Sequence, residues 1–166
     1  ITENSNPVEI WKLYKEKTQG NPPSPLLIEA IPFIIHKENA LDLGSGAFVD
    51  VTHMLEQGFT HIITVDKYES AADIYNQLPK EKVDYIISGF EEYPFPENQF
   101  DLVNAQRSLP FVKPTHFVEM FNKVKKSLKL GGIFTGHFFG VHDTWATTKP
   151  DMTFQTKDDA LKLMGD

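Results

Sequence analysis

The sequence contains no cysteine. That absence removes disulfides, thiolate metal sites and a cysteine nucleophile, and it fits a reducing compartment. Also missing is any apolar run of about 18 residues, the length that crosses a bilayer as a helix. The start, "ITENSNPVE", has no basic segment leading into an apolar one. The expectation is a soluble, cytoplasmic protein with no membrane partner. Positive charge is scarce too: 16 Lys and Arg face 23 Asp and Glu, a net charge of −7. Phosphate backbones need a basic face, so nucleic acid is not expected as a partner. The single dense basic run, "KVKKSLK", carries apolar residues at helical spacing and reads as a solvated helix face. The histidines form no His-x-x-x-His pair, and without thiolates no metal site is expected.

What is present suffices for one core. With 166 residues, 40% of them hydrophobic, and no internal repeat, one domain over 1–166 is expected. Residues 1–38 form its N-terminal helical segment. Asn6, Pro7 and Glu9 read as a cap, a first-turn proline and a capping box, opening a helix to about Lys17 with Trp11 and Tyr14 on one face. Ser24 and Pro25 repeat the cap-then-proline signal, and Pro32 should kink or divide the helix that follows. From residue 39 onward, strands alternate with helices. "ALDL", "HIITVD", "VDYIIS", "FDLVNA" and "IFTGHFF" read as strands. Between them "VTHMLEQG" reads as a helix ended by Gly58, and "SAADIYNQLPK" as a helix stopped at Pro79. Thr115 reads as the cap of a long helix bearing Phe117, Met120, Phe121, Val124 and Leu128, closed by Gly131 and Gly132.

This alternation predicts a doubly wound α/β fold, a mostly parallel sheet with helices on both faces, whose ligands gather at the carboxyl ends of the strands. The first such end is "ALDLGSGAF". Gly44 and Gly46 permit a sharp turn and close ligand approach, and the helix start behind them offers unpaired N–H groups. No Lys followed by Ser or Thr comes after the second glycine, so a Walker loop is excluded. The sixth residue from Gly44 is Val49, so a dinucleotide turn is poorly served. Asp42 stands at the strand tip, where it can accept hydrogen bonds from an ammonium group.

"ALDLGSGAF" resembles the first motif of class I S-adenosylmethionine-dependent methyltransferases, acid-x-Gly-x-Gly-x-Gly. Asp42, Gly44 and Gly46 match, Ser45 lies between them, and Phe48 departs from the third glycine. Its ring is expected to turn into the helix–sheet core. The same resemblance implies that Asp66, ending "HIITVDK", grips the ribose hydroxyls and that Lys67 flanks the adenine. "ISGFEEYPFPENQFDLVNA" resembles the family's third-strand pattern with Gly89 in the usual Asp position, leaving Phe90 to stack on the adenine. Asn104, Ala105 and Gln106 would pass beneath the methionine part, with Arg107 toward the substrate. "NAQRSLPFV…GGIFTGHFFGVHDTWA…MTFQT" resembles a bacterial subgroup akin to tellurite-resistance-type methyltransferases.

The resemblance implies S-adenosylmethionine as cofactor and methyl transfer to a small-molecule nucleophile, with His137, Arg107 and Trp145 as candidates on the acceptor side. The rival is a non-catalytic domain binding a nucleotide-like metabolite or a protein. "NPPS" at Asn21 lacks the aromatic of an amino-group DNA methyltransferase motif, follows a helix pattern, and reads as a turn. Thr156 and Asp159 form a capping box for a last helix. No sequence then remains for the family's final antiparallel strands. The chain is therefore expected to be truncated, or to pair the edge of "IFTGHFF" with a partner such as a second copy.

Overall fold

The computed structural model describes residues 6–165. Residues 1–5 of the N-terminal segment, and the reading of them, lie outside the described residues. The elements are α1 (Pro7–Thr18), α2 (Pro25–Ala30), β1 (Asn39–Leu43), α3 (Val49–Glu56), β2 (His61–Asp66), α4 (Ala72–Tyr75), β3 (Val83–Ile87), β4 (Phe100–Ala105), α5 (Pro114–Ser127), β5 (Leu128–Gly136) and α6 (Lys157–Met164). The strands form one sheet in the order β3-β2-β1-β4-β5, and every pairing is parallel. The expected doubly wound sheet is present.

Alternation along the strands separates two apolar layers. Leu41, Leu43, Ile63, Val65, Val103 and Ala105 pack with Phe117, Met120, Phe121 and Val124 of α5. Ala40, Ile62 and Leu102 face the other way, against Leu27 of α2 and Phe48, Val51 and Met54 at α3. Each fully buried large side chain contributes roughly 1.5–3 kcal/mol, so these two layers dominate the stability.

Local signals behave as their chemistry requires. The Asn6 side chain caps α1 by accepting from the Val8 N–H, and Thr156 with Asp159 completes a capping box at α6. Pro32 divides the second helix: α2 stops at Ala30 and a 3-10 turn covers Ile31–Phe33. Other expectations need correction. Ser24 makes no side-chain cap; its backbone N–H instead donates to Asp50 Oδ1 at 2.8 Å. The long helix begins at Pro114 with Lys113 as its cap residue, because a proline with preset φ suits the first helical position. Gly131 and Gly132 do not close that helix but lie inside β5. A Cβ at Gly132 would stand 2.7 Å from the Phe100 carbonyl oxygen, so glycine there admits close pairing where the β4–β5 register shifts. The helix expected over 70–80 shrinks to the single turn of α4.

Among the described residues β5 pairs only with β4, and its outer edge is unpaired. No helix among the described residues is long and apolar enough to cross a membrane.

Candidate functional site

On the α3 side of the sheet, side chains stand in rows set by the strand register. The row Ala40, Ile62, Leu102 and Ile133 is apolar. Two residues nearer the carboxyl ends, the row becomes Thr64, Asp42, Asn104 and Thr135. All four are buried, with exposures of 0–7%. A further step along each strand brings Asp66, Gly44, Gln106 and His137 to the rim. The apolar core thus gives way to a polar floor and then to an open edge, where ligands collect in such sheets.

The floor is closely bonded. Asn104 Nδ2 donates to Asp42 Oδ1 at 2.8 Å and to Asp50 Oδ2 at 3.1 Å, tying β4 to β1 and to the first turn of α3. Thr64 Oγ1 donates to Asp42 Oδ2 at 3.1 Å. Burial pushes the Asp42 carboxyl up to about 8, with the nearby Asp50 charge adding to the rise and the bonds from Asn104 and Thr64 opposing it. Asp42 is therefore no free carboxylate at a strand tip. It lies one residue inside the end of β1, 2% exposed, with both oxygens engaged by the protein.

Above this floor the turn after β1 makes the nearest approach. Gly44 has φ +98°, and a Cβ there would stand 2.7 Å from Ser108 Cβ and 4.0 Å from the tip of the Phe90 ring. Only glycine fits. Ser108 donates its hydroxyl hydrogen to the Leu43 carbonyl, holding the loop after β4 against the turn. Gly46 also has a left-handed φ of +48°, and a Cβ there would meet nothing within 4 Å. Its face of the turn is open space. Ser45 Oγ donates to Asp66 Oδ2 at 3.0 Å, and the Tyr68 N–H to Asp66 Oδ1 at 3.2 Å, so turn and second strand tip share one edge. Phe48 keeps the left-handed conformation of the missing glycine, φ +57°, while its ring is fully buried against Tyr75 and Tyr85. The bend is left clear.

The remaining candidates divide. Lys67 is exposed in the turn after Asp66. Ala105 is buried in the α5 layer, so only its backbone can serve the site; its carbonyl accepts from the His137 N–H. Gln106 Nε2 donates to Asn104 Oδ1 at 2.8 Å. Arg107 is exposed and held at φ +57°. Trp145, 43% exposed, packs on Phe111 and Phe139 rather than on the polar floor. Burial, followed by the Arg107 charge, lowers the His137 pKa, with Asp50 acting the other way.

Sequence reasoning missed Asp50, Thr64, Ser108 and Glu92. The Glu92 carboxylate fills the space a Cβ at Gly89 would need, and that of Glu91 lies 3.4 Å from the same point. An acid therefore does stand beside position 89, supplied from three residues on. The "EE" after Phe90 was the available signal. A separate open hollow of about 400 Å³ lies between Leu26, Phe134, Phe138 and α6, and takes in none of Asp42, Asp66 or His137.

Parallel strands in this order, with an acid–glycine–glycine turn beside a second acid at the next strand tip, define a Rossmann-like domain of the class I methyltransferase type. The profile of the family described as "Methyltransferase domain" matches residues 41–135, and the chain belongs to that family. Solved structures agree on the fold. The methyltransferase partner of the Haloferax volcanii Trm112 methyltransferase activator superposes with a TM-score of 0.76 at 14% identity, covering 93% of this chain and 71% of the other. A Leishmania major SAM-dependent methyltransferase gives 0.69 at 15% identity, covering 95% and 69%. The [4+2]-cyclase SpnF gives 0.68 at 16%, covering 94% and 68%. A search among curated proteins found no match to the sequence.

Proposed function

We propose that this protein is an S-adenosylmethionine-dependent methyltransferase acting on a small-molecule nucleophile. The observation that carries this reading is the shared edge of two strand ends, where the turn stands open at Gly46 and Ser45 is bonded to Asp66. The residues fit such a cofactor. Asp66, only partly buried, offers two carboxylate oxygens to a pair of ribose hydroxyls. Phe90 stands beside the turn to stack on the adenine, with Lys67 at its flank and Glu92, next to Gly89, as acceptor for the exocyclic amine. The backbone of Asn104, Ala105 and Gln106 runs beneath the methionine part, and Asp42 shapes that floor through Asn104.

When bound, the cofactor supplies an already activated methyl group. The chain's task is then to orient the acceptor and exclude water rather than to provide strong acid–base chemistry. Arg107, His137 and Trp145 stand toward the acceptor side. The likeness to tellurite-resistance-type methyltransferases belongs to the same reading and leaves the acceptor open. A cytoplasmic setting and pairing of a second copy on the free β5 edge also accord with it.

The fold alone does not decide for methyl transfer, since SpnF is a cyclase on the same scaffold. Calorimetric titration with S-adenosylmethionine and S-adenosylhomocysteine separates an active cofactor site from a domain that binds something else. Both should bind. Asp66→Ala should weaken each by more than about 1 kcal/mol, because it removes charge-assisted hydrogen bonds. Unchanged affinity in that variant would refute the placement of the ribose.

A further inference from the structure

Two buried side-chain atoms near the site have no hydrogen-bond partner among the described residues: Gln106 Oε1 and His137 Nδ1. They are neighbours by construction. Asn104 pairs with Thr135 and Ala105 with Gly136, so the next residues of these parallel strands, Gln106 and His137, stand side by side. The His137 N–H bonded to the Ala105 carbonyl continues that register, and Gln106 Nε2 lies 3.4 Å from Thr135 Oγ1 on the same face.

The amide orientation is forced from below. The Asp50 carboxylate accepts, so Asn104 must turn Nδ2 toward it and present Oδ1 upward. Gln106 must then donate Nε2 to Asn104 Oδ1, which leaves its Oε1 as a buried acceptor with nothing to accept. Buried polar groups without partners are rare and costly, and two adjacent ones at a strand end mark a place for a ligand's donor.

Resting on the methyltransferase reading, we infer that Gln106 Oε1 and His137 Nδ1 form the seat of the methyl acceptor, a neutral primary amine whose two N–H groups answer the two acceptors. Position favours the acceptor over the cofactor. The rim runs Asp66, Gly44, Gln106, His137, three strand spacings or about 14 Å, so a donor anchored by its ribose at Asp66 presents its methyl group near Gln106.

His137 is suited to hold the proton. Burial and the facing Arg107 charge keep the imidazole neutral, against the weaker pull of Asp50. On transfer the acceptor's lone pair forms the bond to the methyl carbon, the carbon–sulfur pair returns to sulfur, and the acceptor's proton passes to His137 Nδ1.

The test uses phenol and aniline as probes of the S-adenosylhomocysteine complex. Aniline should shift the His137 Nδ1 resonance in nitrogen-15 NMR and bind more tightly than phenol, which has one donor for the two acceptors. Gln106→Leu should weaken aniline binding about tenfold, by removing one of its two acceptors, while S-adenosylhomocysteine affinity stays within twofold. His137→Gln should lower methyl transfer from S-adenosylmethionine to the probes by at least about 100-fold, the scale of a lost general base. It should also remove the acid limb of the rate profile, which in the parent lies below the ordinary histidine pKa of 6.5. His137 resonances unmoved by both probes, with S-adenosylhomocysteine bound, would overturn the inference. So would a Gln106→Leu variant that loses tenfold in S-adenosylhomocysteine affinity but binds 5′-methylthioadenosine normally, since the seat would then hold the cofactor's ammonium. If S-adenosylhomocysteine itself fails to bind, the parent reading falls first and this one with it.

Discussion

Replacing Phe48 by glycine is expected to destabilise the protein by about 1–4 kcal/mol, although it restores the residue that the turn motif calls for. Two opposing effects decide the sign. Phe48 holds a left-handed φ of +57°, and relieving that strain with glycine gains about 1–2 kcal/mol. Its ring is fully buried between Tyr75 and Tyr85, with centroids at 6.0 and 5.1 Å, and removing a core phenylalanine costs about 3–5 kcal/mol. Packing wins. Urea unfolding of the two proteins gives the difference, and a more stable glycine variant would mean that the ring does not anchor α3 to the sheet.

Asp42→Asn is expected to abolish most of a pH dependence of stability that the parent shows between about 4 and 8. In the folded protein the carboxyl is pushed up to about 8 from an ordinary 3.8. Between those values the folded state binds a proton that the unfolded state has released. Stability is therefore greatest near the lower value and declines as the pH climbs through the upper one. Across that window the total decline is on the order of a few kcal/mol. Asparagine reproduces the protonated carboxyl: its oxygen can accept from Asn104, and its amide can donate to Thr64 Oγ1. The variant should match the parent near pH 4 and exceed it near pH 9, as read from urea midpoints across that range. Equal slopes for both proteins would show that the Asp42 proton does not change hands on unfolding.

Fold and site differ in how far the sequence disclosed them. Strands β1 to β4 and the turn at Gly44 are legible because each is a local pattern, an apolar run that an acid or a glycine closes in β1 to β3. Phe48 was legible for a related reason: a large apolar side chain opening a helix has the core as its natural place. The polar floor was not. Thr64 looks like any β-branched strand residue, and its meaning depends on standing opposite Asp42 in the finished sheet. Asp50 reads as a solvated acid in a first helical turn until Asn104 reaches it from β4. The acids after Phe90 are visible in the sequence, but their folding back on Gly89 is not, because loop geometry decides that. Glycine misled in the opposite direction: Gly131 and Gly132 resemble a helix stop, yet close β4–β5 packing is what requires Gly132.

The hydrogen bond between Asn104 and Asp42 joins residues 62 apart in the chain. Closing so long a loop costs entropy before any contact repays it, and parallel pairing of this kind folds slowly for its size. A nascent chain that has made only β1 to β3 can stack three strands and bury Phe48. It still lacks the amide that bridges Asp42 to Asp50. Scaffold precedes chemistry in time, and the acidic centre gains its last neutral neighbour only when the fourth strand slots in beside the first.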